Sequence, residues 1–147
     1  MAEIRDKSLS YMYESIVQIM KDTLPDYLDD DNTKANIAPA AALSLIETYN
    51  YYCVVTMSNE NRIDETTDRT IPAVSRDFVI YIGSHNNEDL IKMYDEMLKA
   101  DENKGIYQIC ANAADYFQNL SVKLGSNPFI FYDSGLCEIV LNVSVIN

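Results

Sequence analysis

Residues 136–146 alternate between two chemically different sets of side chains, a pattern that favours a β-strand. The apolar set comprises Cys137, Ile139, Leu141, Val143 and Val145; the mixed set comprises Leu136, Glu138, Val140, Asn142, Ser144 and Ile146. Successive side chains of a strand point to opposite sides of its sheet, so the apolar set predicts a core-facing side. The segment contains no Lys or Pro, which commonly protect exposed sheet edges. We therefore expect this strand to be central, or to have its edge covered by another chain.

Apolar spacings elsewhere predict further helices and strands. Steps of three and four residues favour helices, whereas runs of β-branched and aromatic residues favour strands. The predicted helices cover Ser8–Leu24, 39–49, 86–99 and 104–124, and the predicted strands cover 51–57, 78–82, 129–132 and 136–146. Gly125 and Pro128 are expected to end the last helix, and 26–36 is expected to be a solvated loop. The order α-α-β-β-α-α-β-β predicts one α+β domain over residues 1–147, with a mostly antiparallel four-stranded sheet packed against helices.

The charge of the chain bears on its partners. Its 147 residues include 23 Asp and Glu against 11 Lys and Arg, a net charge of −12. Such an excess of carboxylates disfavours nucleic acid and anionic membranes as partners. The sequence shows neither the basic start and apolar run of a signal peptide nor the ~20 apolar residues that span a bilayer. We expect a cytosolic protein that binds neither nucleic acid nor membrane.

The residues that most often carry catalysis are few and scattered. His85 is the only histidine and lies in a predicted strand-to-helix turn. Cys53, Cys110 and Cys137 lie far apart in apolar segments, where we expect them to be buried. The spacing of the four glycines does not match a phosphate-binding loop. The sequence therefore predicts no catalytic or cofactor-binding residue and no enzyme, with an unrecognised carboxylate pair as the open alternative.

The acidic run at Asp29–Asp31 superficially resembles the start of a calcium-binding loop. An EF-hand loop that began at Asp29 would need Gly at its sixth position and Glu at its twelfth. Lys34 and Ala40 stand at those positions. We expect a solvated charge run here rather than a metal site.

Two segments point to contact with another chain. The 58–76 connection carries charges of both signs and is longer than most connections between paired strands. Since arginine pairs well with carboxylates across interfaces, the connection is either a functional hairpin arm or a loop with local ion pairs. The mixed side of the strand at 136–146 is the second segment. The predicted interface residues are Arg62, Arg69, Arg76, Asp64 and Asp68 from the connection, and Leu136, Val140, Asn142 and Ser144 from the strand.

The order of elements resembles that of the phage tail-terminator, or tail-completion, family. Members of that family have an N-terminal helix, a strand pair that can carry a projecting loop, helical segments and a C-terminal hairpin. The matching pieces here are Ser8–Leu24, the strands 51–57 and 78–82, the helices 86–99 and 104–124, and Asp133–Leu136 leading into Ile139–Val145. The predicted helix 39–49 and the charged loop 26–36 have no clear counterpart in the family.

The resemblance implies a homo-oligomeric ring that caps the tail tube and joins it to the head–tail connector, without catalysis or cofactor. The implied partners are further copies of the chain and other virion or tail proteins. The implied location is the host cytoplasm during assembly and then the virion.

A rival hypothesis is an acidic cytosolic inhibitor that mimics DNA, of the anti-CRISPR or antirestriction type. It requires carboxylates concentrated on one face. The one dense acidic cluster in the sequence comprises Asp22, Asp26, Asp29, Asp30 and Asp31.

Overall fold

The computed structural model describes residues 6–35, 44–45, 47–63, 73–99, 105–131 and 136–147. In these ranges the chain forms three helices and five strands. The helices are α1 (Leu9–Thr23), α2 (Asn87–Met97) and α3 (Gly105–Ala113); the strands are β1 (Thr33–Ala35), β2 (Tyr51–Ile63), β3 (Ala73–Ser84), β4 (Asn119–Phe131) and β5 (Cys137–Ile146). The α+β class predicted from the sequence is confirmed.

The strands form one sheet in the order β1-β2-β3-β5-β4. β1 runs parallel to β2, and the other pairs are antiparallel. β5 lies between β3 and β4, so the expectation of a central C-terminal strand is confirmed. This placement explains why β5 needs neither Lys nor Pro for protection, because both of its edges are hydrogen-bonded within the chain.

The main core lies between the helices and one side of the sheet. Its sheet residues include the predicted apolar set of β5, each member at most 1% exposed. Its helix residues come from the apolar stripe of α1 and from shorter stripes of α2 and α3, and include Met12, Ile16, Ile19, Leu90, Met93 and Ile109. Ser8 caps α1, as its position predicts, by accepting a hydrogen bond from the backbone N–H of Tyr11.

The predicted loop 26–36 contains a strand, so the prediction of four strands is wrong. A compact turn leads into β1: the side-chain amide of Asn32 donates to the carbonyl of Tyr27 at 2.8 Å, and the Asp29 carboxylate accepts from two backbone N–H groups. The Asn32 carbonyl then accepts from the N–H of Cys53 at 2.9 Å, which starts the parallel pairing. Asp29 thus stabilises a turn, since side chains of Asn and Asp readily bond to nearby backbone groups. Most of the predicted helix 39–49 lies outside the described residues; 44–45 and 47–48 are helical.

The predicted helix 104–124 is wrong in its second half. The helix ends at Ala113, and β4 occupies Asn119–Phe131. Leu120, Val122 and Leu124 alternate with polar residues, as in a strand, while the four-residue step from Leu120 to Leu124 also fits a helix. Pairing with β5 decides in favour of the strand. The predicted strand at 129–132 is the last part of this same β4.

The sequence predicts that Gly125 and Pro128 end a helix. In the structure both residues lie inside β4. The β4–β5 register shifts between Leu124 and Phe129, which is where these two residues occur. Proline has no N–H to donate to a neighbouring strand, and glycine often marks a strand irregularity. Both residues are tolerated because β4 is an edge strand of this five-stranded sheet, with β5 as its one neighbour.

The 58–76 connection is largely a continuation of two strands. β2 extends to Ile63 and β3 begins at Ala73, with a register shift between Met57 and Asn59. The extended-hairpin alternative is therefore confirmed for 58–63 and 73–76. The predicted interface residues Asp64, Asp68 and Arg69 lie outside the described residues.

A tyrosine locks three strands on the side of the sheet away from the helices. Tyr52 of β2, Gly83 of β3 and Glu138 of β5 occupy one row of the sheet. The Tyr52 ring lies across Gly83, and its hydroxyl donates to a Glu138 carboxylate oxygen at 2.6 Å. A Cβ at position 83 would lie 2.1 Å from the Tyr52 ring, so this close approach requires glycine. Leu45, Val54 and Leu136 complete a second, smaller core around Tyr52.

Replacing Gly83 with alanine should therefore destabilise the fold. The methyl group would displace the Tyr52 ring and break its bond to Glu138, and overpacking of this kind costs about 1–3 kcal/mol. Urea unfolding of Gly83→Ala measures the loss. In a Tyr52→Val background the same substitution should cost much less, and an equal cost in both backgrounds would show that the ring is not the obstacle.

Candidate functional site

The side of the sheet opposite the helices forms a broad surface, which we call the outer face. Strand register defines it by three rows: Val54–Tyr81–Val140, Thr56–Val79–Asn142–Lys123 and Asp77–Ser144–Ser121. The predicted interface residues Val140, Asn142 and Ser144 all belong to it, with Asn142 exposed and the other two half-buried. Leu136 is buried in the second core together with Val54, so that core covers the Val54 end of the outer face.

The outer face is apolar at its centre and carries little charge. Val79, Tyr81 and Val140 adjoin one another across two strands, and all three are half-buried. In the three rows the charged residues are Asp77 and Lys123, which have opposite signs. Ser144 donates to the Asp77 carboxylate at 2.7 Å, so part of that charge is already hydrogen-bonded. A surface of this kind can be buried against another apolar surface with little desolvation of charge.

The base of the β2–β3 hairpin is held by a buried arginine. The Arg76 Nε lies 2.5 Å from the Glu60 carboxylate, and its Nη1 donates to the Lys7 carbonyl at 2.5 Å. The same Nη1 lies 3.2 Å from the Met12 sulfur, under the first turn of α1. Arg76 was predicted as an interface residue, yet these contacts lie within its own chain. Arg62 pairs in register with Val74 on the same hairpin.

Asn147 fastens the same end of the sheet, a role that its sequence context did not signal. Its side-chain oxygen accepts from the N–H of Gln118 and its amide donates to the carbonyl of Asp6, both at 2.8 Å. Its backbone exchanges two hydrogen bonds with Val74. This asparagine therefore connects the segment before α1, the start of β4 and the base of the hairpin.

A polar cleft of about 210 Å³ lies at the opposite end of the sheet, lined by Asn50, Tyr51, His85, Asn86 and Asp89. His85 is exposed in the predicted strand-to-helix turn, and its backbone N–H donates to the Asn50 carbonyl at 3.2 Å. The Tyr51 hydroxyl donates to Asp89 at 2.6 Å, and this hydrogen bond raises the pKa of Tyr51. The lining contains no serine or cysteine, so the described cleft does not set a nucleophile beside His85.

The expectation that all three cysteines are buried is confirmed for two of them. Cys53 and Cys137 are buried as predicted, whereas Cys110 is exposed. Cys110 lies in the predicted helix 104–124, but the helix that the structure contains, α3, ends at Ala113 and leaves Cys110 on its exposed side. Burial raises the pKa of the Cys53 thiol, which makes it a poor nucleophile at neutral pH.

Several carboxylates of the acidic segment 22–31 make contacts within the chain. Asp22 accepts from the Gln18 side chain, Asp29 binds its own turn, and Asp30 pairs with Lys21. Asp26 and Asp31 are exposed. In the part of the chain that the structure describes, no group of three or more His, Cys, Asp or Glu side chains is placed to hold a metal ion.

Comparison by sequence finds no relative of the chain. No protein-family model matches the chain, and no curated protein is similar enough in sequence to count as one. Among the described residues, every helix is too short or too polar to pass through a membrane. The candidate site therefore rests on the geometry of the outer face and the hairpin.

Replacing Arg76 with lysine should weaken the fold although the charge is kept. One ammonium group cannot reach both Glu60 and the Lys7 carbonyl as the forked guanidinium does, so a buried acceptor loses its donor at a cost of about 1–3 kcal/mol. Urea unfolding measures this loss. Glu60→Gln is the matched control and should cost less than about 1 kcal/mol, because the Glu60 side chain is 39% exposed. Equal losses for the two variants would contradict the role given to Arg76.

The Tyr51–Asp89 bond should make stability depend on alkaline pH. Because the bond raises the pKa of Tyr51 in the folded state, its contribution is complete below the ordinary tyrosine pKa of about 10 and is lost as pH rises through the raised value. The difference in unfolding free energy between wild type and Tyr51→Phe should be constant at neutral pH and shrink in strong base. Urea unfolding over a pH series measures it, with the exposed Tyr107→Phe as control. A constant difference at all pH values would contradict the assignment.

Proposed function

We propose that this protein is a non-enzymatic virion assembly protein that resembles phage tail terminators and forms a ring at the end of the tail tube, where it meets the head–tail connector. Its partners are then further copies of itself and neighbouring virion proteins. The observation that carries the proposal is the long β2–β3 hairpin, which is anchored by Arg76 and which, among the residues that the structure describes, pairs with β1 over three residues of β2.

Within the described residues, the edge of β2 away from β3 is only partly paired. β1 pairs with β2 at Cys53–Val55, and no other described strand lies on that edge as β2 continues to Ile63. The next N–H along the edge, that of Met57, is bound by the Tyr13 hydroxyl at 3.1 Å. From Ser58 to Asn61 the residues are exposed and polar. A strand edge with few partners in its own chain favours pairing with another chain.

The anchoring at the base supports a mechanical role for the hairpin. Arg76 and Asn147 tie β3 to the segment before α1 and to the start of β4. A hairpin that is fixed rigidly to its sheet can hold a neighbouring chain in place. A merely connecting loop would have no need of a buried guanidinium with three partners.

The rival hypothesis of a DNA mimic has less support. A mimic needs free carboxylates spaced along one face, yet Asp22, Asp29 and Asp30 are engaged within the chain. If the rival held, binding to a basic nuclease would weaken steeply with added salt. Salt-insensitive or absent binding would reject it.

Shortening the hairpin tests the assembly role. Since Ile63 and Ala73 are register partners, residues 64–72 can be replaced by Asn-Gly, which closes two paired strands in a type I′ turn. We expect wild type to form a ring by light scattering and electron microscopy, and the shortened variant to be a folded monomer with an unchanged thermal unfolding curve.

The control variant carries the same nine residues 64–72 in scrambled order, which keeps the length of the hairpin and removes its specific chemistry. If the shortened variant assembles as wild type does, the hairpin is not a subunit contact. If wild type is monomeric at every concentration and also in the presence of tail tubes, the ring itself is rejected.

A further inference from the structure

We draw no further inference here: the strongest candidate, the apolar patch of Val79, Tyr81 and Val140 at the centre of the outer face, carries nothing because nothing in the described part of the chain shows what covers it.

Discussion

The placement of β5 between β3 and β4 is the constraint on which the rest of the structure depends. Its residues make antiparallel pairs on both edges, from Cys137 to Ile146, and its apolar side supplies the middle of the main core. A strand shifted by one residue would turn that apolar side away from the helices, so the burial pattern also sets the register. The register in turn sets the rows of the outer face and brings Glu138 opposite Gly83 and within reach of Tyr52.

The strongly patterned elements could be predicted from the sequence, and the ambiguous ones could not. β5 and α1 combine a clear period with end signals such as Ser8, the second half of β3 is a continuous apolar run, and the structure confirms all three. The failure at 104–124 is instructive, because Leu120 and Leu124 satisfy a helical spacing and a strand alternation at once. Local preference could not choose between the two, and pairing with β5, which is a contact distant in sequence, did.

The candidate site was predicted less well, for a physical reason. Asn142, Val140 and Ser144 were placed correctly because strand alternation alone tells which side they occupy. The contacts of Arg76 within its own chain were not predicted, because the neighbouring residues do not show whether a guanidinium faces solvent or packs under a helix. The sequence around Asn147 does not indicate its structural role, because that role depends on backbone groups from three segments that are distant in sequence.

The charge of the chain has a different meaning once its distribution is known. A net charge of −12 suggests a protein that avoids its own copies, yet repulsion depends on where the carboxylates lie and is screened beyond about 10 Å in ordinary salt. The α1–β1 turn carries four exposed carboxylates, at Asp26 and Asp29–Asp31, whereas the three rows of the outer face carry one charge of each sign, Asp77 and Lys123. A contact between two copies of the chain would therefore meet less charge repulsion at the three outer-face rows than at the acidic α1–β1 turn. Net charge alone therefore does not decide which surface of a protein can meet another chain.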